Sequence, residues 1–159
     1  MSRIIVVLIW ALFMGQPAFA DDQAKLAGTW KLAAFDIEFQ DNGERRQTYK
    51  TGASGYLIFA PGGRMMTVIA ANGRKPAKSD QEAAAALRTM FAYTGTYRLE
   101  GGKWITKVDV SWNEAWTGTD QVRFYKLDGP RLLVVAAWQP SRSEPGRNVR
   151  GILTWERDN

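Results

Sequence analysis

The chain of 159 residues has no cysteine and no histidine. Without cysteine there is no disulfide, so the fold must rest on packing and strand pairing alone. Together the two absences exclude Ser-His and Cys-His nucleophile systems, thiolate or imidazole zinc sites, and haem held by His or Cys. Carboxylates, Lys, Arg, Tyr and hydroxyls remain for any chemistry. No P-loop, dinucleotide fingerprint or cluster of metal ligands stands out either, and neither a cofactor nor a metal is expected. A strong excess of one charge is also missing. The 21 Lys and Arg residues against 16 Asp and Glu give a net charge of +5, and the basic residues are scattered among strands and turns. A nucleic-acid partner is therefore not expected.

What is present begins with an address. Arg3 supplies a positive start, residues 4–14 form an apolar run too short to span a bilayer, and Ala18-Phe19-Ala20 has the small-x-small form of a cleavage site. Residues 1–20 thus read as a cleavable signal peptide, with Asp21 the first mature residue and the periplasm or the exterior as destination. No Cys follows the apolar run, which rules out lipid attachment there, and no stable membrane anchor is expected. Residues 21–159 suit one domain, large enough to bury a core, and a monomer is the expectation.

Along that region, turn residues arrive at the spacing of an antiparallel all-β domain. Strands are expected at 29–39, 45–49, 55–59, 64–70, 93–99, 104–111, 121–127, 131–137 and 150–157. Gln40-Asp41-Asn42-Gly43, Pro61-Gly62-Gly63, Gly101-Gly102 and Asp128-Gly129-Pro130 punctuate them. One helix interrupts the series: Ser79 and Glu82 form a capping box, and Ala83, Leu87, Met90 and Phe91 make one apolar stripe. The stripe reads as a lid. A meander of this length must close or find a partner sheet, which predicts an up-and-down antiparallel β-barrel of about eight strands with one helix inserted mid-chain.

The residues also carry a resemblance. Gly28-Thr29-Trp30-Lys31-Leu32, the run from Gly55-Tyr56-Leu57 through Pro61-Gly62-Gly63-Arg64-Met65, and Tyr93-Thr94-Gly95-Thr96-Tyr97 are followed by Val108-Asp109-Val110-Ser111, Trp116-Thr117-Gly118-Thr119-Asp120, Leu127-Asp128-Gly129 and Leu153-Thr154-Trp155-Glu156-Arg157. In this order they resemble the lipocalin-like domain of many uncharacterised bacterial proteins. The resemblance implies a lipocalin-like barrel that binds a small, largely apolar molecule. It also implies that Trp30 plugs the closed barrel end and that Arg157 packs across it through a cation–π contact. Relatives often carry His in the strand at 104–111, where this chain has Thr106 and Lys107, so no His-dependent role transfers.

Two groups of residues are candidates for a site. If the hairpin through 112–118 is centred near Trp116, Asp109 falls opposite Arg123, Lys107 opposite Tyr125 and Ser111 opposite Gln121, forming a polar ladder on one face. Facing inward, Arg123 and Lys107 would meet a carboxylate or carbonyl, with Asp109 holding Arg123. Facing outward, the ladder is an ordinary surface ion pair. The alternate set, Trp104, Thr106, Val108 and Val110, is the more apolar and argues for burial of that side. The second group is aromatic and thioether: Tyr56, Met66, Phe91, Tyr93, Tyr97, Trp112 and Trp116 suit the lining of a pocket or a packed core. An eight-stranded interior is only just wide enough to be filled by side chains or to hold one small ligand.

Three functions fit this pattern. The first is an exported carrier or sensor of a small apolar or amphipathic molecule, which expects a cavity open at one end. The second is an isomerase- or hydratase-type enzyme using Asp109 as acid or base beside Lys107, Tyr125 or Arg123, which requires a buried carboxylate. The third is a non-catalytic envelope interaction module, with the mobile-looking loop at 138–147 as its contact and an apolar patch outside the barrel mouth as its mark.

Overall fold

The computed structural model describes residues 19–141 and 143–158. The expected signal peptide lies outside the described residues except for its last two, and Arg142 of the candidate contact loop lies outside them as well. The chain opens with a short helix, α1 (Phe19–Leu26), which was not anticipated. Strands β1 (Gly28–Phe39), β2 (Arg45–Gln47), β3 (Ala53–Phe59) and β4 (Arg64–Ala71) precede a second helix, α2 (Asp80–Arg88). Then come β5 (Met90–Glu100), β6 (Lys103–Ser111), β7 (Asp120–Asp128), β8 (Arg131–Ala136), the two-residue β9 (Gln139–Pro140) and β10 (Asn148–Arg157).

Eight of these strands form a closed antiparallel barrel in the order β1-β3-β4-β5-β6-β7-β8-β10, with β10 returning to pair with β1 from Trp30↔Arg157 to Phe39↔Val149. The expected fold class is thereby met. Closure leaves no long sheet edge exposed. β2 and β9 are short additions to the far half of β1 and the start of β10. The hairpins β3–β4, β5–β6 and β7–β8 turn within a few residues at one end. The long connections, including α2 and a 3-10 turn at Glu114–Trp116, all lie at the other. The first is the closed end and the second the open end.

Period-two alternation decides which side chains point inward. In β3 Leu57 and Phe59 are buried, in β4 Met65, Thr67 and Ile69, in β5 Tyr93 and Tyr97, in β8 Leu132 and Val134. The closed end is plugged as the resemblance implied. Trp30 is fully buried and its Nε1–H donates to the Leu26 carbonyl at 2.8 Å, so α1 caps the barrel floor. The Arg157 guanidinium lies 4.1 Å from the Trp30 ring centroid and donates to the Ala27 and Lys25 carbonyls. Arg157 needs Gly28 beside it: that residue has φ +122°, and a Cβ there would sit 2.6 Å from Arg157 Nη1.

Gly95 performs the other backbone task. The β5–β6 register slips between Thr94↔Val110 and Gly95↔Val108, a bulge that places Asp109 as the extra residue. A Cβ on Gly95 would come within 2.0 Å of the Lys107 carbonyl oxygen. The bulge explains a departure from simple alternation. Trp104, Thr106 and Val108 are buried as their polarity suggested, but Val110, past the bulge, is 63% exposed.

The helix also differs from its sequence pattern. Half of the capping box forms as expected, with Glu82 N–H donating to Ser79 Oγ, while the Glu82 carboxylate accepts from Lys78 N–H, one residue before the N-cap. However, α2 ends at Arg88, and Met90 and Phe91 begin β5. Pairing of Ile69 with Phe91 and Ala70 with Met90 outcompetes continuation of the helix. None of the helix residues is buried, so α2 rests on the rim and its stripe covers no core.

Substituting either glycine by alanine should therefore destabilise the barrel: Gly28→Ala by about 2 kcal/mol through its backbone angle and the displaced guanidinium, and Gly95→Ala by at least as much. The check is the denaturant midpoint at unchanged slope. Wild-type midpoints would contradict the tight contacts described at both positions.

Candidate functional site

The β6–β7 register places the sequence-derived site residues. Trp104 pairs with Arg123, Thr106 with Gln121 and Lys107 with Asp120. The hairpin is centred between Asn113 and Glu114, not near Trp116. The ladder Asp109–Arg123, Lys107–Tyr125 and Ser111–Gln121 therefore does not form. An odd shift of register reverses facing, so Arg123 and Tyr125 turn inward while Lys107 and Asp109 turn outward. The cause is local: Trp112 N–H donates to the Ala92 carbonyl, keeping the chain on β5, and the Val108 and Gly118 amides close the loop early.

Asp109 lies on the outer face, ion-paired with Arg64 at 2.7 Å and 44% exposed. Lys107 donates to the Gly118 carbonyl at 2.6 Å. An acid–base centre built on Asp109 thus lacks the buried carboxylate it requires. Tyr56 and Met66 also correct the earlier reading. They stand on the outer faces of β3 and β4, 42% and 50% exposed, where with Val68 and Val110 they line an external groove of about 380 Å³.

The remaining candidates are inward but fall into two groups. Tyr97 and Tyr125 belong to the closed end. Tyr97 packs edge-on to Phe59, and Tyr125 lies against Trp104 and donates its hydroxyl to Asp22 at 2.9 Å. Burial, then the Asp22 carboxylate, pushes the Tyr125 phenol well above its ordinary pKa. It is a neutral strut between barrel and α1.

Phe91, Tyr93, Trp112 and Trp116 gather at the open end. Phe91 stacks on Tyr93 at 6.4 Å and meets Trp112 at 5.8 Å, and Trp116 meets Trp112 at 5.0 Å and Tyr93 at 5.4 Å. Phe35 and Tyr49, which the sequence reading did not single out, extend this collar. Arg123 sits within it, its guanidinium carbon 5.7 Å from the Tyr93 ring and 5.6 Å from the Trp116 ring. Among the described residues no carboxylate pairs with Arg123; its guanidinium donates to the Val122 carbonyl at 2.8 Å and to Gln121 Oε1 at 3.5 Å.

Beneath the collar the barrel is filled. The internal cavity lined by Leu57, Thr67, Trp104, Arg123, Leu153 and Trp155, among others, measures about 20 Å³. That admits one water-sized atom and no more, so the open calyx that a carrier calls for is not preformed. The lining is nonetheless polar in an unusual way. Trp104 Nε1, Trp155 Nε1 and Thr67 Oγ1 are buried without a hydrogen-bond partner, a cost of roughly 1–3 kcal/mol each when nothing meets them. Sequence reasoning missed Trp155 and Thr67 as site residues. The signal was the inward parity they share with Trp30 and Ile69 once each strand's register is set.

The rim formed by β1, β2 and the loop before β10 is tied by charge. Glu38, 9% exposed, is held between Arg45 at 2.9 Å and Arg150. Arg147 pairs with Asp41 at 2.7 Å and Glu144 at 2.6 Å while lying 3.8 Å from the Phe39 ring centroid, and Arg46 reaches Glu144 at 2.5 Å. The loop after β9, which looks mobile from its Pro, Ser and Gly content, is therefore pinned to the β1–β2 hairpin.

A family model described as a lipocalin-like domain matches residues 27–158. A search of curated proteins returned no match.

The rim network sets an acid limit on stability. Burial pushes the Glu38 carboxyl up, but hydrogen bonds and charge from Arg45 and Arg150 outweigh it and hold it below its ordinary value. The hydrogen bonds of Arg147 lower Asp41 and Glu144 in the same way. Depressed folded-state values mean stability that is complete above the unfolded carboxylate pKa of about 4 and lost as pH falls through the folded values. The unfolding temperature should thus drop steadily below about pH 4.5, with a shallower slope in Glu38→Gln. Identical slopes for wild type and variant would remove Glu38 from this account.

Proposed function

The chain belongs to the lipocalin-like domain family, and from that premise we propose that it carries or senses a small apolar or amphipathic molecule at the open end of its barrel. A barrel of this family is consistent with small hydrophobic ligands. The observation that carries the reading is the aromatic collar: four rings contact one another in a cycle, and two of them, Tyr93 and Trp116, lie against one guanidinium that no described carboxylate neutralises. Apolar walls with few polar anchors are the usual make-up of a small-molecule site. Because the interior is filled, entry requires the collar side chains to rearrange. Tyr93 is buried, but Phe91, Trp112 and Trp116 are half-buried, and α2 and the 3-10 turn beside them bury no residue, so a rearrangement of those three disrupts little packing.

The outer face favours a second reading, an envelope interaction module. Tyr56, Met66, Val68 and Val110 present an apolar groove on the outer faces of adjacent strands, reaching Trp112 at the rim, and exposed apolar patches mark contact sites. Both readings place the protein outside the cytoplasm, on the strength of Arg3, the apolar run at 4–14 and Ala18-Phe19-Ala20.

Two measurements test this. Native mass spectrometry of the protein purified from its source, followed by organic extraction, should find a discrete small molecule whose occupancy falls at least severalfold in Trp116→Ala and is unchanged in Met66→Lys. A protein that stays free of ligand in the presence of an envelope extract, and loses a co-purifying protein in Met66→Lys, would instead support the interaction module. N-terminal sequencing of the same preparation should begin at Asp21, and an intact Met1 would refute export by cleavage.

A further inference from the structure

Arg123 borders two spaces. One is the internal cavity of about 20 Å³ that it shares with Thr67, Trp104 and Trp155. The other is a rim pocket of about 200 Å³ with Trp116, Val122, Ala136 and Trp138 on its apolar side and Asp120, Gln121 and Gln139 on its polar side. The chemistry on the inner side is one-sided. Indole N–H and guanidinium groups donate and never accept, so Trp104, Trp155 and Arg123 cannot satisfy one another. Trp104 is 1% exposed, Trp155 2% and Thr67 6%, and their polar side-chain atoms have no partner. Thr67 Oγ1 can accept as well as donate, yet it meets neither indole, so what the two indole N–H groups lack is an acceptor. Asp120, which also lines the rim pocket, does not supply it, since its carboxylate is engaged by Arg98 at 3.4 Å and Lys107 at 4.0 Å.

We infer that these residues form a carboxylate site, in which an amphipathic monocarboxylate sets its headgroup against Arg123 and the two indole N–H groups and its apolar body in the rim pocket. A carboxylate is the ligand group that accepts at both oxygens, donates nothing and neutralises a guanidinium. The dimensions agree. The inner cavity, about 20 Å³, exceeds the 10–15 Å³ or so that one water-sized atom needs, room for a carboxylate oxygen, and the rim pocket is about tenfold larger. That suits a short alkyl chain or a single ring. The aromatic walls at Trp116 and Trp138 receive such a body, while the collar shields the ion pair from water and strengthens it. This inference rests on the small-molecule reading above and narrows it to one ligand class.

The test compares octanoate with 1-octanol, titrated into the purified protein by calorimetry and by NMR of the indole N–H signals, with Trp104→Phe and Trp155→Phe assigning the resonances. Octanoate should bind about tenfold or more tighter than octanol, and the Trp104 and Trp155 indole signals should move with the acid alone. In Arg123→Gln that preference should vanish while octanol affinity is retained. Thr67→Val, which keeps side-chain shape, should weaken octanoate about threefold and serves if Arg123→Gln does not fold. Equal affinity for acid and alcohol would overturn the inference, leaving a water in the inner cavity and the small-molecule reading intact. Binding of neither probe by a protein that retains some other molecule would also overturn it alone. Binding of neither by a protein that retains nothing would overturn both.

Discussion

Everything in this barrel depends on the pairing of β10 with β1. A single antiparallel sheet with one apolar face is not a stable object until that face is covered, and here the sheet covers itself. The residues that make closure possible are few. Trp30 fills the floor, Arg157 crosses it and ties down the end of α1, and Gly28 leaves room for the guanidinium. Because the first and last strands meet at this point, the plug joins the two ends of the chain. A defect there would open the barrel along its seam, whereas a defect in a rim loop would leave the seam closed.

Closure also converts register into function. In a closed sheet of period two, each side chain is either core or surface, and one hairpin's centre decides for a whole strand. The β6–β7 loop illustrates the consequence. Moving its centre from Trp116 to the Asn113–Glu114 step splits the ladder, so that Arg123 faces the barrel mouth and Asp109 the surface. The Gly95 bulge acts similarly on β6, turning Val110 outward beside Met66 and Val68. One bulge and one loop thus separate an acceptor-seeking interior from an apolar exterior.

Much of this was legible in the residues. The strands, their order, the Ser79 cap and the Trp30–Arg157 plug follow from alternation, turn residues and a resemblance that runs along most of the chain. The facing of β7 was not legible, since neither alternate set of that strand is clearly the wet one. Tyr56 and Met66 misled for a related reason: on an outer face, aromatic and thioether side chains look the same in sequence as on an inner one. The end of α2 was set by tertiary pairing of Met90 and Phe91 with β4, which overrides a helical stripe. Thr67 and Trp155 were invisible as site residues because nothing local distinguishes a satisfied polar atom from an unsatisfied one.

The two sides of the open end are built to different standards, and that asymmetry bears on how a filled barrel can take up a ligand. On one side Glu38, Asp41, Glu144 and four arginines bind β1, β2 and the loop before β10 into a cross-linked wall. On the other, α2 has no buried residue, and the 3-10 turn that carries Trp116 is held by short local hydrogen bonds. Opening free energy is lowest where few apolar contacts are lost. A ligand bound as proposed would displace the Trp112–Trp116 side of the collar and leave the charged wall in place. Arg123 lies on β7, the strand that follows that turn, so the same movement would uncover the guanidinium to meet it.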